Sequence, residues 1–253
     1  MKKKIFVMFI VAMMVVSTIA FFIAPNEEQG KLNSISDALN LTPSGVTFAL
    51  YLDVQEMRGT PLGELLTRAG AVQSYELYNA EITRMCTIVF EDGTWVEFHQ
   101  TATRPRFRYV TTIDHQGYDI LVREGGMGNV LTDPIIYGPT GNVKRVIGII
   151  EGDATPARDE LKILEKVREP VEFERVSIED FAEVFYLGIH RLEDGKYQRT
   201  AIYQNPSETK ATNLTQLAET APSRGLVYNI RQEEEYSIVT VAGDFRTVIN
   251  EPS

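Results

Sequence analysis

Cationic and aromatic side chains alternate along Thr103-Arg104-Pro105-Arg106-Phe107-Arg108-Tyr109. Arginine and aromatic residues are enriched where proteins touch one another. Arg104, Arg106, Phe107, Arg108 and Tyr109 therefore form a candidate contact patch for an anionic partner. The plainer reading is an edge strand whose charges discourage pairing with other chains.

Other reactive residue types lack the spacing that chemistry needs. His99, His115 and His190 are the only histidines and lie far apart. A catalytic zinc site takes three protein ligands, usually clustered as in H-E-x-x-H, so no metal is expected. Cys86 is the single cysteine. It excludes an intramolecular disulfide and reads as a small core hydrophobe in a strand over 86–90. No G-x-S-x-G and no Walker pattern occurs, and no S-x-x-K is read as opening a helix. Glu124-Gly125-Gly126-Met127-Gly128-Asn129 has half the glycines of a dinucleotide loop and reads as a turn. Asp53 and Glu56 stand at the end of a strand. Glu179, Asp180 and Glu183 suit a helix start, and Glu233, Glu234 and Glu235 suit a solvated hairpin tip. EF-hand spacing is absent. No catalytic residue and no cofactor is expected.

The elements that carry these residues are read from periodicity. Val46, Phe48, Leu50, Leu52 and Val54 alternate as a strand does. Thr60 caps a helix with Pro61 at its first position. Asp92-Gly93 turns a hairpin between 86–90 and 94–98. A second hairpin joins 107–112 to 118–123. The apolar run 143–150 reads as a strand. Thr155 and Pro156 open a helix that Pro170 ends, with Leu161, Leu164 and Val167 as its apolar face. A short strand over 171–176 precedes a helix capped by Ser177, with Ile178, Phe181, Ala182, Phe185 and Ile189 as its stripe and His190 and Arg191 at its end. Strands are expected at 196–203, 226–231 and 236–241, and a short helix at 213–220.

The N-terminus speaks of location. Ile5 to Ala24 carries no charge across twenty residues, with Lys2, Lys3 and Lys4 before it. At about 1.5 Å per residue such a helix spans roughly 30 Å, the thickness of a bilayer core. The lysines favour a cytoplasmic N-terminus. A cleaved signal peptide is the rival, but its apolar core is usually shorter. Either route puts the body outside the cytoplasm. There, Asn40-Leu41-Thr42 and Asn213-Leu214-Thr215 fit the glycosylation pattern.

The whole chain carries a formal charge of −10. The anchor holds three lysines and no acids, so the body stands at −10 − 3 = −13. Such a body repels phosphate backbones, which argues against nucleic acid as a partner. The expected plan is α+β: a transmembrane anchor at 1–24, a stalk at 25–42, and a mixed, mainly antiparallel body with short helices in two modules, 43–152 and 153–253. The expected function is a single-pass, membrane-anchored extracytoplasmic binding or assembly protein without catalysis. Its partners are the lipid bilayer, through Ile5 to Ala24, and another protein or a cell-surface polymer. Two alternatives stand beside it. A carboxylate-based hydrolase needs two acids facing across a cleft. A pilin-like filament subunit would pack its apolar helix in a fibre.

Overall fold

The alternation in Val46–Asp53 builds β1, which buries Ala49 and Tyr51 on one face and Leu52 on the other. A strand apolar on both faces belongs in the middle of a sheet with both sides covered. β1 pairs antiparallel with β2 (Ile82–Phe90) and with β8 (Phe173–Glu179). The computed structural model describes residues 31–70, 78–168 and 171–252. The remaining strands are β3 (Trp95–Thr101), β4 (Thr111–His115), β5 (Tyr118–Val122), β6 (Met127–Val130), β7 (Ile135–Pro139), β9 (Ala182–Arg191), β10 (Tyr197–Gln204), β11 (Val227–Glu233) and β12 (Tyr236–Gly243). Among the described residues these twelve form one antiparallel sheet, ordered β11-β12-β10-β9-β8-β1-β2-β3-β7-β6-β5-β4. Strands β1 to β7 fill one half and β8 to β12 the other, with the β1–β8 pair at the join.

Short helices cover both faces. On face A lie α1 (Ile35–Asn40), α3 (Thr140–Ile150) and two 3-10 turns, Ala157–Asp159 and Lys162–Lys166. On face B lie α2 (Pro61–Arg68), α4 (Glu208–Thr220) and α5 (Phe245–Ile249). The caps follow from sequence. Ser34, Thr60 and Ser207 each accept a backbone N–H from the first turn of α1, α2 and α4. Leu32, Ile35, Ala38 and Leu39, in the stretch read as a stalk, are buried on face A. The anchor expected at Ile5 to Ala24 lies outside the described residues. Among those described, no helix is long and apolar enough to cross a membrane.

Several elements differ from expectation, and each difference has a cause. Residues 143–150 form most of α3 rather than a strand. Val143, Val146 and Ile147 are buried, which is helical spacing, while β-branching gave the run a strand-like composition. The helix expected from Ser177 is instead the β8–β9 hairpin. Phe181, Phe185 and Ile189 lie four apart, and that interval keeps side chains on one face in a helix and in a strand alike. Leu187 shares the buried face B with Phe185 and Ile189, while Tyr186 faces the other way. The helix opened by Pro156 is two 3-10 turns. Glu124 to Asn129 splits into a turn and the start of β6.

Two buried details test this packing. Gly63 begins the second residue pair of α2, and a Cβ there would come 2.1 Å from the Met57 carbonyl oxygen. Glu174, 1 % exposed, accepts hydrogen bonds from the Ile35 N–H, at the start of α1, and from the Tyr186 hydroxyl at 3.3 Å. Burial pushes its carboxyl up from 4.5 to about 7, against the pull of those bonds. The folded chain therefore holds this proton more tightly than the unfolded chain does. The stability it contributes is fully present below about pH 4.5 and is lost as pH rises through about 7.

At 1.36 kcal/mol per pH unit, that difference is worth about 3 kcal/mol. Glu174→Gln keeps an acceptor for Ile35 and cannot ionise. Its melting temperature should exceed that of the unaltered chain at pH 8, and the gap should shrink toward pH 4. Calorimetry across that range decides, and a gap independent of pH would refute the assignment. Gly63→Ala should destabilise by about 2 kcal/mol, since the clash with backbone outweighs the ~1 kcal/mol that alanine gains in a helix. A denaturant titration that finds the variant more stable would contradict the Met57–Gly63 contact.

Candidate functional site

The arginine and aromatic run is not an edge strand. Between β3 and β4 the chain leaves the sheet and runs extended as a strap over face B. Backbone bonds pin it at intervals of four residues: Ala102 N–H to Glu81 O, Arg106 N–H to Tyr78 O and Val110 N–H to Val122 O, each 2.8 Å. The hairpin strand expected from Phe107 begins at Thr111 because these bonds hold the residues before it elsewhere.

Pinning sorts the side chains. Phe107 turns inward and is half-buried, its ring 6.2 Å from that of Tyr78. The Arg123 guanidinium lies 5.5 Å from the centroid of the same Phe107 ring. Arg104, Arg106, Arg108 and Tyr109 are exposed, with Tyr109 at 54 %. Among the described residues none of these three arginines reaches a carboxylate. The five predicted patch residues thus lie together, four outward and one as their anchor.

Hollows flank the strap. One, of about 350 Å³, is bounded by Arg108, Tyr109, Arg123, Glu124 and Tyr137. The other, of about 580 Å³, has Arg104 on its rim and His99 in its wall. Sequence reasoning did not find Arg123 or Tyr137. Arg123 directly follows β5 and Tyr137 lies in β7, and only the pairing of those strands through β6 brings them to the strap.

Under the strap lies a hydrogen-bonded group. His99 is 2 % exposed. Its Nδ1 is 2.6 Å from the Tyr78 hydroxyl and its Nε2 3.2 Å from a Glu97 oxygen. One tautomer satisfies both: Nε2–H donates to Glu97 and Nδ1 accepts from Tyr78. Burial, then the Glu97 charge, drives the Tyr78 phenol far above its usual range. The phenol occupies the position a serine or cysteine nucleophile would need beside a histidine and carboxylate, and it keeps its proton. This arrangement fixes Tyr78, which in turn holds Arg106 and Phe107.

The other flagged residues take structural roles. Cys86 is buried. His99 lies within β3, His115 ends β4 and His190 lies in β9 rather than at a helix end. Asp53 accepts from the Glu56 N–H and from Arg84, each within 2.9 Å. Glu179 bonds Arg175 and Ser177, in a strand instead of at a helix start. Glu233 pairs with Lys166 and Arg231. The hollow that holds Glu64 and Glu81 has each acid ion-paired, to Arg68 and Arg58. Among the described residues no cluster of three histidine, cysteine or acidic side chains could hold a metal ion.

Comparison with known proteins adds one match. A protein-family model described as a family N-terminal domain matches residues 31–151, from just before α1 to the end of α3, and so includes the strap. Its description carries no activity. No curated protein and no solved structure matches the chain.

Proposed function

We propose that this chain is a membrane-anchored, extracytoplasmic binding or assembly protein that works without catalysis. The anchor is Ile5 to Ala24, a single pass in the cell membrane, and the body from Pro25 faces outward. The partner is an anionic protein or cell-surface polymer that docks on the strap.

The observation that carries this reading is the strap itself. Three exposed arginines stand on a backbone pinned at both ends and in the middle, free of carboxylates, in a chain of net charge −10. Cations left unpaired amid so many acids are available to an outside anion. Tyr109 and the inward Phe107 supply the apolar part of a contact, and a pinned backbone loses little entropy on binding. The non-catalytic reading draws support from the paired state of Glu64 and Glu81, because a hydrolytic pair needs carboxyls free to face a substrate.

The test uses the full chain in solubilised membranes. It should sediment with membranes, resist extraction by salt and yield to detergent. A partner recovered in stoichiometric amount should fall at least about tenfold on changing Arg104, Arg106 and Arg108 to Ala, and the difference from the unaltered chain should shrink as ionic strength rises. Unchanged recovery would sink the choice of surface. A full-length chain found free in cytosol would sink the location.

A further inference from the structure

A second hollow lies on face A of β9 to β12 and is lined mainly by polar and cationic side chains. The pairing register sets Gly188, Thr200, Thr240 and Asn229 in one row across β9, β10, β12 and β11. His190 and Gln198 form the row on one side, and Tyr186, Ile202, Ile238 and Arg231 the row on the other. Ile202, Ile238 and Tyr186 are buried on this face, so apolar side chains are what it otherwise carries. Thr200 and Thr240 are half-buried and Asn229 is exposed, so these polar groups remain free to meet a ligand from solvent.

Only part of this face is covered. The 3-10 turn Lys162–Lys166 covers it through Ile163 and Leu164, and Val167, Arg168 and Val171 then form a wall. The resulting cup encloses about 310 Å³. Gly188 deepens its floor. A Cβ there would come 2.7 Å from the Tyr186 hydroxyl and 3.0 Å from a Val171 methyl. This volume is at the small end of the range for ligand pockets and suits a molecule of one ring.

The lining selects the chemistry. Thr200, Thr240, Gln198 and Asn229 can each donate and accept, as recognition of hydroxyl groups requires. Lys166, Arg168 and Arg231 make the rim cationic. Glu233 engages Lys166 at 3.4 Å and Arg231 at 2.7 Å, whereas Arg168 reaches no carboxylate among the described residues. Tyr186 and Ile238 offer an apolar floor.

We propose that this cup binds a small hydroxylated organic anion, a one-ring sugar acid or sugar phosphate. Its hydroxyls lie against Thr200, Thr240, Gln198 and Asn229, and its charge faces Arg168. The site is on the opposite face and the other half of the sheet from the strap, and it lies outside residues 31–151. It stands whether or not the strap binds a partner.

Isothermal titration of the full-length chain in detergent tests it with four probes: glucuronate, glucose 1-phosphate, glucose and inorganic phosphate. At least one charged sugar should bind about tenfold or more tightly than both glucose and phosphate, and which one does so identifies the anionic group. Arg168→Ala, at an exposed position, should weaken that binding about tenfold with unchanged thermal unfolding. Thr200→Val, nearly isosteric, should weaken it as well, and changing Arg104, Arg106 and Arg108 should not. The proposal is overturned if neither charged sugar binds at millimolar concentration, if phosphate or glucose binds equally well, or if affinity survives both Arg168→Ala and Thr200→Val.

Discussion

Pairing of β1 with β8 is the contact on which the rest of the described chain depends. It joins five strands from the second half of the sequence to seven from the first. The pair runs from Phe48–Ser177 to Leu52–Phe173, and the Asp53 N–H extends it to the Glu172 carbonyl at 2.7 Å. Hydrogen bonds set the alignment, but burial on both faces makes it stable. A slip of one residue would send Tyr51 to face B and Leu52 to face A, under the wrong helices. Face A also fixes Glu174 beside α1, since its register opposite Tyr51 leaves it facing the Ile35 N–H.

The sheet also separates two cationic surfaces in an acidic molecule. Ion pairs absorb many of its cations: Arg84 with Asp53, Arg175 with Glu179, and Arg224 with Glu251. The last pair is buried on the acid's side and helps fasten the C-terminal end, where Tyr228 also bonds Glu251 and Arg199 donates to the Glu251 carbonyl. Arg104, Arg106 and Arg108 on the strap and Arg168 at the mouth of the cup have no such pair among the described residues. A long-range acidic field with local positive spots favours small or flexible anions that can approach one spot closely, because screening over roughly 8 Å weakens repulsion from the rest.

Much of the fold was legible along the chain. The Asp92-Gly93 hairpin, the Thr60-Pro61 helix start, strands β1, β10, β11 and β12, and the burial of Cys86 agree with local pattern. The errors cluster where local pattern is degenerate. Spacing of four reads the same in helix and strand, which hid β9. Branched apolar side chains suit a strand by propensity, which hid α3 until its buried positions fell at helical intervals. The five patch residues were recognisable by composition. Arg123, Tyr137 and the Tyr78–His99–Glu97 group beneath them were not, because these come from separate strands.

Sequence alone determined the quantities that add along a chain. These are the net negative charge, the absence of a disulfide, the uncharged length of Ile5 to Ala24, and the local turn and cap chemistry. Such properties need no knowledge of which residues meet. Tertiary structure decided the rest: the β1–β8 join, the course of the strap over face B, and the polar row from Gly188 to Asn229. Each depends on strand register, and register is chosen by the joint burial of two faces over distant segments, a cooperative outcome that no single stretch of residues encodes.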